Sequence, residues 1–195
     1  RICLVSSSFY PAIFYGGPIS STWGLSKEIS TKDIEMYVST TNANGISRLD
    51  VETNRFIKKR DNFFVKYYYE EFINRFSFAF IFGIWFDIKK ADIVYIQYLF
   101  HYTVLFSLLF SILQRKRVFV CPRGSFSLFT LSNSRPLIKG AWISLFVKPF
   151  HRFIQWQASS SLEKNDIKNT LLTLLLSKKR LSGIIYCLSR NEVDT

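Results

Sequence analysis

"RICLVSSSFYPAIFYGGPISSTWGLSKEISTKDIEMYVSTT" (residues 1–41) opens the chain. Residues 1–7 are a nearly continuous apolar run ending in serines, the pattern of a strand covered on both faces. Gly16-Gly17-Pro18 follows, and Pro18 suits a first helical position, where its missing N–H costs nothing. Ile19, Trp23 and Ser26, with Thr22, Leu25 and Ile29, then recur at helical spacing, which predicts a helix to about Lys32. Residues 34–41 read as a second strand. Strand, helix and strand in this order form a βαβ unit, and such a unit implies a parallel sheet.

The alternation continues. Residues 42–45 ("NANG") are turn chemistry, and 63–69 ("FFVKYYY") read as an edge strand. "EEFINRF" (70–76) is expected to open a helix running through 76–88. Residues 91–98 are a strong strand, and 101–116 a helix with basic residues in its last turn, as the helix dipole prefers. Residues 117–125 are a buried strand ending in a turn, 135–150 a helix opened and closed by prolines, and 153–160 a further strand. Ser160 and Glu163 stand at capping-box spacing before a last helix. The expected fold class is therefore α/β, a Rossmann-like doubly wound parallel sheet.

The chain has 195 residues, 48% of them hydrophobic and 17% aromatic, enough for one substantial core. Its formal net charge of +12 favours polyanionic neighbours, either phosphorylated ligands, an anionic membrane face or nucleic acid. The basic residues come as dispersed short clusters, among them 58–60, 89–90, 115–117 and 178–180, which argues against a nucleic-acid binder. Cys3, Cys121 and Cys187 show no paired spacing, so neither a disulfide framework nor a zinc site follows, and a cytoplasmic location is expected. Apolar stretches at 76–86, 103–113 and 141–147 are too short to span a bilayer; they read as buried helices, or as interfacial ones because basic residues flank them.

In an open parallel sheet, ligands bind outside the carboxyl ends of the strands. Those ends supply Gly16 and Gly17, then Gln97, Tyr98 and His101, then Arg123-Gly124-Ser125, and lastly Ser159, Ser160 and Glu163. Each has a plain structural reading: a turn, a local ion pair, a helix mouth. Their shared rim is what suggests a phosphorylated or sugar ligand held by backbone amides and Arg123. With His101 and His151 the only histidines, a His-rich metal site is excluded. No dinucleotide-binding or P-loop glycine pattern is present, no D-x-D for a metal–diphosphate complex, and no nucleophile elbow.

These motifs, in this order, resemble the N-terminal domain of a GT-B glycosyltransferase of retaining family four. That family opens with a strand and a P-x-x-G-G turn, matched by Pro11 followed by Gly16-Gly17. Its "D-V-V-H-x-H" strand is similar to residues 92–97, with Gln97 where the family often has His. "CPRGSF" (121–126) resembles the P-R-G strand end of a surface-polysaccharide subgroup, and "ASSSLEKNDI" (158–167) resembles its S-x-x-E. The resemblance implies the N-terminal half of a GT-B architecture, with Gly16 and Gly17 facing the donor diphosphate. It places Gln97, His101, Arg123, Gly124 and Ser125 on the acceptor side. It further implies metal-independent transfer without a cofactor, from a nucleotide sugar to a glycan or lipid-linked glycan, at the inner face of the membrane.

The likeness covers residues 1–169, expected to form one Rossmann-like domain; residues 170–195 no longer resemble the family. They read either as a frame-disrupted tail that should pack poorly or as an ordinary divergent helix. The second domain that carries most of the family's donor site is not in this sequence, so the expectation is that this chain alone does not turn over. The alternative is a non-catalytic module completing a cleft with another chain.

Overall fold

In the computed structural model, which describes residues 1–30, 33–72, 76–133, 135–175 and 184–186, strand β1 (Ile2–Val5) leads through a short 3-10 turn (Ile13–Tyr15) into α1 (Gly17–Ile29). Strand β2 (Met36–Thr41) follows, then a hairpin of β3 (Ala43–Asn44) and β4 (Ser47–Arg48), then β5 (Phe56–Arg60) and β6 (Phe63–Tyr68). The chain continues as α2 (Phe78–Lys89), β7 (Ile93–Gln97), α3 (Tyr102–Leu113), β8 (Arg117–Cys121) and α4 (Leu128–Ser132). A helical run joins α5 (Pro136–Trp142), a π-helical turn (Ile143–Val147) and α6 (Lys148–Phe150). Strand β9 (Ile154–Ala158), α7 (Ser161–Leu175) and β10 (Ile184–Tyr186) complete it.

The main sheet has eight strands in the order β10-β9-β8-β7-β1-β2-β6-β5. Seven are parallel to one another, and β5 alone runs antiparallel, against β6. The chain steps outward from β1 to β2 and β6, then returns past β1 to β7 and steps the other way. Right-handed crossovers place the helices of the two halves on opposite faces. Accordingly Leu4, Met36, Val38 and Val65 pack under Trp23, Leu25 and Ile29 of α1. Cys3, Val5, Val94, Ile96, Val118, Val120 and Trp156 pack against α2, α3, the 136–150 run and α7. The doubly wound Rossmann-like topology expected from the sequence is the one observed.

Several local expectations need correction. Residues 63–68 are an interior strand; the edge is β5, whose Lys58-Lys59-Arg60 end is exposed. An edge strand pairs on one side only and tolerates such charge, so its sequence reads as a solvated cluster. The "NANG" turn belongs to the β3–β4 hairpin. Helix α2 does not begin in "EEFINRF" but at Phe78, because Ser77 caps it, accepting from the Phe80 amide at 3.0 Å, while the Glu71 carboxylate accepts from the Phe78 amide at 2.8 Å. The closing proline of the 135–150 helix, Pro149, lies within its last turn, beyond a π-helical turn. Apart from these corrections, residue 169 lies within α7, Leu171 is buried, and β10 pairs in parallel with β9. Residues 176–183 and 187–195, and so Cys187, lie outside the described residues.

One buried ion pair ties α2 to the sheet. Asp87 accepts from Lys66 Nζ at 3.1 Å, from Ser39 Oγ at 2.8 Å and from the Tyr68 hydroxyl at 2.5 Å. Burial first, and then the Asp87 charge, push the Tyr68 hydroxyl well above its ordinary value, so it stays a donor. Removing the carboxylate strands the Lys66 charge. Asp87→Ala should therefore lower the unfolding free energy by about 3–5 kcal/mol, whereas Asp87→Ala combined with Lys66→Met should recover much of that loss. Urea titrations of the two variants decide it; equal losses would mean the ion pair is not the linkage.

Candidate functional site

The strand order reverses between β1 and β7, and the loops after these two strands diverge to opposite faces. That divergence opens a crevice at the carboxyl ends, the general position for ligands in such sheets. The loop after β1 enters it first. Ser6 Oγ donates to the Ser8 carbonyl at 2.7 Å, holding Ser7 and Ser8 in a tight bend. The Tyr10–Pro11 peptide is cis, and the Tyr67 hydroxyl donates to the Tyr10 carbonyl at 2.5 Å.

The two glycines do different things. Gly16 caps α1 at φ 74° and ψ −150°, a region that side-chain-bearing residues avoid, and its amide donates to the Ile13 carbonyl at 3.0 Å. Gly17 has an ordinary negative φ, is exposed, and would have open space around an added Cβ. Nothing in the fold requires a glycine at 17. Of the pair, Gly16 makes the turn and Gly17 leaves room above it.

At the end of β7, Gln97 is fully enclosed against α1. Its carboxamide lies 2.7 Å from Thr22 Oγ1, which in turn donates to the Pro18 carbonyl at 2.7 Å. The single Thr22 hydroxyl proton can serve only one of the two acceptors at a time, and the Gln97 Nε2 donor is itself buried without a partner among the described residues. Gln97 thus braces the glycine turn from below. Tyr98 follows in the left-handed region at φ 68° and donates its amide to the Cys121 carbonyl at 2.9 Å. His101 caps α3; its Nδ1 lies 2.9 Å from Thr103 Oγ1 and accepts from the Thr103 amide at 3.4 Å. Burial lowers its pKa from 6.5 to about 4, so the ring is neutral near pH 7.

After β8, Arg123 and Gly124 both take positive φ, 52° and 76°. The buried Glu163 holds this turn in place. Its Oε1 accepts from the Gly124 amide at 2.7 Å, and its Oε2 from the Ser159 amide and hydroxyl, both at 2.6 Å. Glu163 donates its own amide to Ser160 Oγ at 3.1 Å, half of the expected capping box; the carboxylate serves the neighbouring strand instead. Ser125 folds back, its hydroxyl donating to the Pro122 carbonyl at 2.5 Å. Because Glu163 is occupied in this way, no described carboxylate pairs with Arg123. The half-buried guanidinium faces Tyr98, whose hydroxyl is raised mainly by burial, with the Arg123 charge opposing the rise.

Two cavities meet at His101. One, of about 210 Å³, is lined by Ser7, Ser8, Phe14, Tyr15, Ala43, Gly45, Glu70 and His101. Gly45, at φ 68°, donates its amide to the Tyr15 hydroxyl at 3.0 Å, and a Cβ there would collide with the Phe14 ring. Burial, then the Glu70 charge, raise the Tyr15 hydroxyl. Hydroxyls, one carboxylate and an aromatic wall suit a polyhydroxylated ligand. The other cavity, of about 570 Å³, is lined by Phe100, His101, Tyr102, Arg135, Ile138, Lys139 and Trp142. Its two cations and apolar walls suit an anionic ligand with apolar character.

The structure thus joins Gln97 through Thr22 to the Pro18 carbonyl, next to Gly16 and Gly17, and brings His101, from the loop after β7, into a cavity shared with Ser7 and Ser8 of the β1 loop. Arg123, Gly124 and Ser125 gather around Glu163 and line neither cavity. Tyr15 stands beside the two glycines at the end of the β1 loop, as the sequence order implies, whereas Gly45 and Glu70 were not singled out from the sequence; Glu70 follows β6, and its rim position is visible only once β6 is placed inside the sheet. Among the described residues, no cluster of three or more His, Cys, Asp and Glu side chains could hold a metal ion.

The titration of His101 gives a test. The unfolded chain takes up a proton near pH 6.5 that the folded chain refuses until about pH 4, so stability falls as pH drops through that window, by roughly 1–3 kcal/mol. His101→Asn keeps an N-cap acceptor and should flatten this dependence. Urea midpoints measured above and below the window should diverge for the wild type and not for the variant. Compared with known protein families and with curated proteins, the chain matches none.

Proposed function

We propose that the chain is the acceptor-side half of a retaining GT-B glycosyltransferase, moving a sugar from a nucleotide-sugar donor to a glycan or lipid-linked glycan in surface-polysaccharide synthesis. The observation that carries this reading is the meeting, at one strand-order reversal, of an unobstructed glycine turn and a hydroxyl-rich cavity. On this reading the donor diphosphate approaches Gly17, where no side chain intervenes. The acceptor sugar occupies the cavity of Tyr15, Glu70 and His101. Arg123 contributes positive charge toward the departing diphosphate, so that amides and a cation stabilise the leaving group without a metal. A neutral His101 can accept or donate a hydrogen bond to a sugar hydroxyl without being locked as a cation. Ile13, Phe14 and Ile46 are exposed apolar side chains on the same rim, where an opposing wall would close the cleft.

The two glycines separate fold from function. Gly16→Ala should cost about 1–3 kcal/mol of stability, since its backbone conformation is closed to alanine. Gly17→Ala should leave stability within about 0.5 kcal/mol of the wild type, because a first-turn alanine is well tolerated. It should nonetheless weaken binding of a nucleotide sugar at least about tenfold, by putting a methyl group where the diphosphate approaches. Urea titrations measure the stability effects, and titration of UDP-, GDP- and dTDP-sugars followed by the amide shifts of Gly16, Gly17, Ile19 and Ser20 measures binding. Unchanged binding by Gly17→Ala, or shifts confined to other parts of the chain, would remove the proposal.

A further inference from the structure

Helix α2 buries Phe80, Ile84, Asp87 and Ile88 against the sheet. Its outer side carries Phe78, Phe82 and Phe86, which are 50%, 72% and 62% exposed. Spaced four residues apart, they form one line along the helix. The only charged side chains of α2 are Asp87, turned inward, and Lys89 in its last turn. The outer face of a helix in water ordinarily carries polar residues, and this one carries none until its end.

That end is strongly basic. Helices α2 and α3 finish side by side: Gln114 Nε2 donates to the Trp85 carbonyl at 3.1 Å, and Lys116 Nζ donates to the Lys89 and Ala91 carbonyls at 2.9 and 2.6 Å. Lys89, Lys90, Arg115, Lys116 and Arg117 therefore gather beside the stripe, and the exposed Leu113 adds to its apolar side. Asp92 is the only carboxylate in the chain between Lys89 and Arg117.

From this pairing of an exposed phenylalanine line with a basic end, we propose that the α2 face docks on an anionic membrane surface, the phenylalanines entering the headgroup boundary and the cations pairing with lipid phosphates. The occupant follows from charge. A second copy of this chain, at +12, would bring like charge against like, whereas an anionic bilayer attracts it. No described helix is long and apolar enough to cross the membrane, so the contact lies in the interface plane. The N-terminal end of the stripe reaches toward the binding rim: Phe78 packs edge-on against Phe76, whose ring centroid lies 4.8 Å from that of Tyr102, which lines the larger cavity. Docking on this face holds that cavity beside the lipid.

Flotation of the full chain with vesicles of phosphatidylcholine alone, or doped with phosphatidylglycerol, tests this. Binding should be at least about tenfold stronger to the anionic vesicles and should fade with added salt. Lys89→Glu with Lys90→Glu should weaken it by about fivefold or more per residue. Phe82→Ser with Phe86→Ser should weaken it at least about tenfold without lowering the melting temperature, since both side chains are exposed. Quenching of tryptophan fluorescence by brominated lipid, reduced in Trp85→Phe, gives an independent reading of the same contact. Equal binding to neutral vesicles, no binding to either, or a dimer in light scattering that Phe82→Ser with Phe86→Ser dissolves would overturn the proposal.

Discussion

Everything else in the structure depends on β1 being paired on both edges and covered on both faces. Its neighbours β2 and β7 run parallel to it in register, so its backbone is satisfied on each side and its side chains are enclosed within the two layers of helices. Parallel pairing forces every connection to cross over, and the crossovers to the two sides of β1 lie on opposite faces. The crevice at its carboxyl end is therefore a geometric consequence of sheet topology. The glycine turn, the serine bend and His101 sit there because the chain must leave β1 and β7 at that point.

A second constraint is the way polar groups are enclosed near this crevice. Glu163 spends its carboxylate on backbone and hydroxyl donors, and Gln97 spends its carboxamide on Thr22. Both act as braces that fix loop positions, and neither meets solvent. One result is that Arg123, held in a left-handed conformation by that turn, forms no ion pair with any described carboxylate. A buried carboxylate satisfied by amides and a hydroxyl is worth more as a clamp than as an ion-pair partner, because three short bonds offset its desolvation. The same logic governs Asp87, although there a lysine takes part and the clamp joins a helix to two strands.

Much of this was legible in residue order. The apolar runs of β1, β2, β7 and β8 are strands whose period is largely masked by burial on both faces, β9 keeps a visible apolar–polar alternation, and the Gly-Gly-Pro turn marks the first helix start correctly. Where the reading failed, the competing signal was local. Ser77, inside an apolar stretch, carries little sequence signal, yet it caps α2. Lys58-Lys59-Arg60 look solvated because they are, and an exposed edge strand has the composition of a loop. Misplacing β6 at the edge also concealed Glu70, since a residue's place on the rim depends on which strand precedes it in space. Exposure of the Phe78, Phe82 and Phe86 line was equally hidden: a helix that is apolar all round looks the same whether its outer face is covered or bare.

By itself, then, the order of residues determined the alternation of strands and helices, the doubly wound class and the rim on which Gly16, Gly17, Gln97, His101 and Arg123 stand. These follow from periodicity and turn chemistry, which act over a few residues. Only the tertiary structure decided which of those residues brace and which remain open: Gln97 enclosed, Gly16 bound within its turn, Gly17 free of steric demand, Arg123 unpaired with any described carboxylate. That division depends on contacts between residues far apart in sequence, such as Thr22 with Gln97 and Gly124 with Glu163, whose partners are chosen by the folding of the sheet rather than by any local pattern.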